Sequence, residues 1–259
     1  MTTSDGRGLR IIRAGARSGP VVFVLHGTPM SRSLYPPHAA DAAKRGIQLV
    51  GVDRPRYGGS TAKPGRSIAD AATDVRAIAD DLGVERFGVW GISGGGPHAL
   101  ACAALLPKRA VAVAALASPA PYPAPGIDWL AGMGDANVAE FRVSMEGVAA
   151  LERFLTPLRD AYFAPTSERA EHDLDSLLSP VDRAAFRSLG PHLLESTRRG
   201  LRPGVAGWRD DDLAFVRPWG FSLDKIRCPL TLWQGRQDRM VPFAMGNGSE
   251  TTSATRCRT

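Results

Sequence analysis

The chain has 259 residues, 44% of them hydrophobic, enough for one large core with a smaller attached unit. Its net charge of +6 comes from 32 basic and 26 acidic residues scattered along the chain. No basic stripe is interleaved with aromatics, which argues against nucleic-acid binding. No apolar run is long enough to span a bilayer, and Arg7, Arg10, Arg13 and Arg17 are spaced through the segment where a signal peptide would lie. A soluble cytoplasmic protein with no membrane partner is therefore expected. Cys102, Cys228 and Cys257 are odd in number and far apart, so neither a disulfide framework nor a metal site is expected.

In chain order, Leu9 to Ile12 reads as an antiparallel edge strand. Val21 to Leu25 is a continuous apolar run ending in His26-Gly27, the pattern of a strand buried on both faces. A helix is expected over Leu34 to Lys44, then a second buried strand over Ile47 to Val52 that ends in Asp53-Arg54-Pro55. Ile68 to Leu82 sets Ile68, Ala72, Val75, Ile78 and Leu82 on one helical face, with Ser67 as its cap and Gly83 as its stop. Phe87 to Trp90, Val111 to Leu116 and Leu230 to Trp233 read as further strands, with a helix over Gly94 to Leu106. This alternation predicts an α/β fold, a mostly parallel sheet covered on both faces. Right-handed crossovers then bring the C-terminal loops of the strands to one edge.

The alternation breaks between Pro119 and Cys228, a stretch far longer than an ordinary loop. Helix-like segments lie at Val138 to Phe154, Arg169 to Leu178 and Val181 to Leu189, so an inserted helical cap is expected. The expected division is 1–120 for the first part of the core, 121–227 for the cap, 228–246 for the second part of the core, and 247–259 for a disordered tail.

Gly91-Ile92-Ser93-Gly94-Gly95 lies where a strand runs into a helix. A G-x-S-x-G turn at such a junction lifts a serine hydroxyl above the sheet, and the helix N-terminus directs amides toward developing negative charge. Ser93 is therefore the expected nucleophile, and the Gly94 N–H one expected oxyanion donor. Thr28, in the His26-Gly27-Thr28-Pro29 loop, offers the other N–H. The competing dinucleotide reading of Gly94, Gly96 and Ala99 fails on position, because two strands precede this turn and no acid follows at the ribose-binding distance. No cofactor is expected. Asp238 follows the late strand, where a carboxylate can orient a histidine, and the chain order serine then acid suits this architecture.

The histidines are His26, His38, His98, His172 and His192, and none follows Asp238. His26 and His98 read as structural, and Asp210-Asp211-Asp212 reads as a solvated acidic run.

With these residues together, the chain resembles the α/β-hydrolase fold family over roughly Leu9 to Met245, in particular bacterial serine-nucleophile hydrolases with a helical cap. His26-Gly27-Thr28-Pro29 looks like its HG-x-P loop, and Gly235-Arg236-Gln237-Asp238 like its G-x-x-D acid turn. Asp53 to Ser60 looks like its D-R-x-G-x-G-x-S segment, with Arg56 where glycine is frequent. The resemblance implies acyl-enzyme hydrolysis of a small carboxylic ester or related acyl substrate, with no nucleic-acid partner. It further implies a cap that shapes the pocket, with Trp129, Met133, Phe141, Leu151 and Phe154 as lining candidates. The family pattern continues with a helix, a last strand and a histidine turn, all of which this sequence is expected to lack. A truncated or frame-shifted reading would account for that, and the apolar surface it exposes favours homo-oligomers. A binding protein without catalysis on the same fold, and a cofactor-free haloperoxidase-like or perhydrolase enzyme, are the alternatives.

Overall fold

The computed structural model describes residues 1–164 and 176–246. The expected tail, His172 and most of the helix expected at Arg169 to Leu178 lie outside the described residues. Among the described residues six strands form one sheet: β1 (Ile11–Gly15), β2 (Val21–Leu25), β3 (Gln48–Val52), β4 (Phe87–Ile92), β5 (Ala110–Leu116) and β6 (Leu230–Trp233). Their spatial order is β1-β3-β2-β4-β5-β6, with β1 antiparallel to β3 and every other pair parallel. Between them lie α1 (Pro36–Lys44), α2 (Asp70–Asp81) and α3 (Gly95–Leu105). This is the mixed, mostly parallel sheet expected from the sequence.

The two-residue period of the strands sorts their side chains between two helical layers. Phe23, Leu25, Val50, Val52, Phe87 and Val89 enter the main core with α2 and α3. Val22, Val24, Leu49 and Trp90 meet Ala42 of α1 on the other face. Every residue of α3 from Gly95 to Ala104 is buried, and its small side chains let it lie against the sheet. The second face is thinly covered beyond β4: Ile92 and Val111 are partly exposed, and Trp233 on β6 is 72% exposed. Among the described residues β6 pairs with β5 alone, so it forms the edge of the sheet.

At the start of α2 the structure departs from the expected cap. The capping position is Ala69, and Ser67 instead sends its backbone N–H and hydroxyl to the Asp70 carboxylate at 2.7 and 3.0 Å. The Ala69 N–H is satisfied by Trp219 O at 2.9 Å.

Among the described residues, the insertion between β5 and β6 carries the α-helices α4 (Asp135–Glu146), α5 (Val148–Phe163), α6 (Pro180–Leu201) and α7 (Ala206–Phe215). Gly147, at φ +108°, turns the chain from α4 into α5. Ser179 and Asp182 cap α6 reciprocally. Leu151, Leu155, Leu201, Trp208 and Leu213 give the insertion a core of its own.

The pairing register levels the C-terminal ends of the parallel strands. Leu25 lies opposite both Val52 and Gly91, and Leu116 lies opposite both Ile92 and Trp233. The segments beginning at His26, Asp53, Ser93, Ala117 and Gln234 therefore leave along one edge.

Candidate active site

Ser93 sits at φ +50°, a conformation that costs a non-glycine residue about 1–2 kcal/mol. The turn is tight because β4 and α3 nearly touch. A Cβ on Gly91 would lie 2.1 Å from Gly95 O, and one on Gly95 would lie 2.1 Å from Leu25 O. The spacing of the motif is thus a steric requirement at both glycines. The backbone is fixed on either side of the serine, with Ser93 N–H donating to Leu116 O and Gly96 N–H to Ser93 O, both at 2.8 Å.

The loop after β2 lies against this turn. A Cβ on Gly27 would be 3.4 Å from Ser93 Cβ, and one on Gly94 would be 2.3 Å from Thr28 Oγ1. Thr28 and Gly94 are therefore neighbours beside the serine. Among the described residues neither of their N–H groups is hydrogen-bonded to a protein acceptor. His26 is buried, with Nδ1 2.9 Å from Gly27 O and Nε2 3.4 Å from Arg54 N. Burial and the nearby Arg54 charge push its pKa well down, so the ring is neutral and holds two loops together.

The loop after β3 is organised around the fully buried Asp53. One carboxylate oxygen accepts the Arg32 N–H at 2.6 Å, and the other pairs with the Arg32 guanidinium. A Cβ on Gly58 would lie 2.1 Å from that second oxygen. Arg56 stands at φ +71°, which gives the preference for glycine there a conformational cause.

The acidic run on α7 differs from expectation: Asp210, Asp211 and Asp212 are all buried. Asp211 accepts from Thr28 Oγ1 at 2.6 Å, Tyr57 OH at 2.8 Å, Arg66 Nη2 at 2.6 Å, and Arg54 Nη2 at 2.5 Å. Burial alone would raise its pKa, but Arg54 and Arg66 outweigh that and hold the carboxyl well below the ordinary range. Asp212 goes the other way, pushed well up by burial and by Glu140. His98, one turn into α3, points Nδ1 at Gly94 O (2.8 Å) and has Nε2 3.8 Å from Asp211. Burial and Arg54 lower its pKa to about 3, leaving it neutral.

Asp238 follows β6 at the same sheet edge. One of its oxygens accepts Met240 N–H at 2.9 Å and Val241 N–H at 2.8 Å, and Gln234 Nε2 reaches the other at 3.4 Å. Burial raises its pKa. Among the described residues no histidine ring bonds Ser93 or Asp238. His38 meets Tyr35 edge-to-face and His192 lies tilted against the same ring, with centroids 5.1 and 5.2 Å away.

The five lining candidates fall into two groups. Trp129 packs on Phe141 edge-to-face at 4.6 Å, and both join Met133 in the main core. Leu151 and Phe154 pack in the core of the insertion with Trp208.

The buried partners of Asp211 went unread in the sequence because an Asp-Asp-Asp run resembles a solvated face. The flanking Trp208, Leu213 and Phe215, which surround the run with apolar side chains, carried the signal that it is buried.

Residues 20–257 match the family model described as the alpha/beta hydrolase fold. Among curated proteins, a bifunctional esterase/perhydrolase of Acinetobacter calcoaceticus is 26% identical over 94% of this chain and 83% of its own length. Epoxide hydrolase A of Mycobacterium tuberculosis is 32% identical with the same coverage of both chains. Among solved structures, the enol-lactonase of Burkholderia xenovorans superposes with a TM-score of 0.70 at 18% identity, covering 98% of this chain and 88% of that one. A thermophilic esterase of Thermogutta terrifontis gives 0.68 at 19% identity, covering 99% and 86%. At these identities the superpositions speak to the fold.

Proposed function

We propose that this chain, which belongs to the alpha/beta-hydrolase fold family, hydrolyses small carboxylic esters through Ser93 and an acyl-enzyme. The observation that carries this reading is the junction itself. A serine at φ +50° stands at a strand–helix turn, beside Thr28 and Gly94, whose N–H groups have no protein acceptor among the described residues. Ser93 Oγ would add to the ester carbonyl and give up its proton to a base. The Thr28 and Gly94 amides would hold the oxyanion. The C–O bond to the alcohol would then break, the alkoxide taking a proton, and water would release the acid by the same route.

Serine supports acyl chemistry over the epoxide hydrolysis named for one relative, because the family's epoxide hydrolases use aspartate at this position. The base is the component that no described histidine supplies to Ser93. Turnover is accordingly proposed to be slow, sustained by the oxyanion hole and binding, which in serine proteases retain about 10³–10⁴-fold catalysis after loss of a triad member.

The test is covalent labelling by a fluorophosphonate together with the burst of nitrophenol from 4-nitrophenyl acetate. Labelling at Ser93 and a burst lost in Ser93→Ala are expected; an undiminished burst in Ser93→Ala overturns the assignment. One observation favours a second reading, a binding protein without turnover. The Asp238 carboxylate accepts two N–H groups of its own turn and, among the described residues, no imidazole. Ligand binding with no label on Ser93 would select it. The perhydrolase reading, favoured by the name of the Acinetobacter relative, predicts peroxide-dependent turnover instead.

A further inference from the structure

We propose that Asp211, on α7 of the helical insertion, is a positioning residue for the oxyanion hole, acting through the Thr28 hydroxyl. This inference rests on the function proposed above. The Thr28 side chain has no chemical part in donating its backbone N–H, yet its hydroxyl is fixed in both hydrogen-bonding directions. It donates to Asp211 Oδ2 at 2.6 Å and accepts from Arg54 Nη2 at 3.2 Å. Arg54 in turn bonds the same Asp211 oxygen and the carbonyl of His26, two residues before Thr28. The side chain and the incoming backbone of Thr28 are therefore tied to one buried carboxylate, 183 residues away in sequence.

The other proposed donor is tied to the same place. Gly94 O meets His98 Nδ1 at 2.8 Å, and the far side of that ring lies against Asp211. Gly94 makes room for the Thr28 hydroxyl in this position, since a Cβ there would lie 2.3 Å from Thr28 Oγ1. Burying a carboxylate and two guanidiniums costs several kcal/mol of desolvation per ion, and apolar side chains of similar volume could fill the space more cheaply. What apolar side chains cannot do is fix the direction of a neighbouring hydroxyl, and hence of the peptide that carries it. An oxyanion donor acts by being aimed before the reaction begins.

The experiment compares Thr28→Val, Thr28→Ser and Asp211→Asn with the wild type. It reads the burst rate on 4-nitrophenyl acetate and, by hydrogen exchange, the protection of the Met30 N–H. That group donates to Gly27 O at 2.8 Å within the loop. Deleting an oxyanion donor costs about 10²–10³-fold in kcat, so misaiming one through Thr28→Val is expected to cost roughly 10-fold with KM little changed. Thr28→Ser, which keeps the hydroxyl, is expected to restore the rate. Met30 protection should fall about 10-fold in Thr28→Val and Asp211→Asn, with the β2 interior unchanged.

A Thr28→Val burst within 2-fold of wild type overturns the inference, as does Thr28→Ser that is as slow as Thr28→Val. Should Asp211→Asn fail to fold, the two Thr28 variants decide. A wild type that never labels at Ser93 overturns the proposed function; Met30 protection then decides the positioning role, and unchanged protection in Thr28→Val overturns it.

Discussion

The two sides of Ser93 are held very differently. Toward β2 and β3, the loop carrying Thr28 is bound to Arg54 and Asp211, and Asp211 is held in turn by Tyr57 and Arg66, all of them buried. Toward β5 and β6, Asp238 is held by two amides of its own turn and one side-chain amide, and Trp233 beneath it faces outward. The first side spends stability on long-range ionic order, whereas the second is local and solvent-facing. A serine hydrolase needs an oxyanion site that is rigid in advance and an acid that holds a base; the first is what the wired loop is proposed to supply, and among the described residues no histidine bonds Asp238.

The largest expected effect separates the two carboxylates. Asp211→Ala leaves Arg54 and Arg66 buried without their counter-ion and should lose about 3–5 kcal/mol. Asp238→Ala removes ordinary turn hydrogen bonds and should lose about 1 kcal/mol. Urea unfolding of both variants checks this, and an Asp238 variant as damaging as the Asp211 one would erase the contrast.

Acid should act on the wired side next. His98 and His26 are held neutral in the fold but take protons when unfolded, near pH 6.5. Their contribution is complete above that pH and is lost as pH falls toward the folded pKa, about 3 for His98, at up to about 1.4 kcal/mol per pH unit for each ring. Asp212 has the opposite sign, because its raised pKa makes the fold keep a proton that the unfolded chain releases above pH 3.8. The clean measurement is therefore the difference between wild type and His98→Gln, followed from pH 7 to pH 4. It should shift against the wild type as pH falls, and a difference independent of pH would refute the neutral-ring assignment.

A smaller effect is expected at Arg56. Relief of its left-handed backbone by Arg56→Gly should stabilise by up to about 1 kcal/mol, seen as a modest rise in Tm. The smallest is on the open side, where Trp233→Lys should change stability by within about 0.5 kcal/mol. Its readout is association, with light scattering expected to show fewer multimers where the β6 edge, unpaired among the described residues, drives it.

The frame was legible for a simple reason. A parallel strand buried on both faces is a continuous apolar run, which makes β2 legible to the residue; β6, buried at alternate positions on the sheet edge, is legible to the residue as well. Ser93 was legible because two close backbone contacts demand glycine at a fixed spacing, and spacing survives in sequence. Asp211 was not, since its partners Arg54, Tyr57 and Arg66 lie 157, 154 and 145 residues away. Nothing local distinguishes a carboxylate that meets two guanidiniums from one that meets water. The turn at Ser67 misleads for a related reason, because its serine lies three residues before the helix and bonds Asp70, the first helical residue.

The clasp between Asp211 and Thr28 also bears on how a molecule could travel to Ser93. α6 is fastened to the same loop, with Ser196 Oγ 3.1 Å from Ser31 Oγ and no space at Gly200 for even one carbon against Met30 O. Swinging α6 and α7 outward as a lid would pull on the peptides proposed to stabilise the reaction. Traffic to the serine is compatible with an assembled site only if it passes along a route that leaves those two helices where they are.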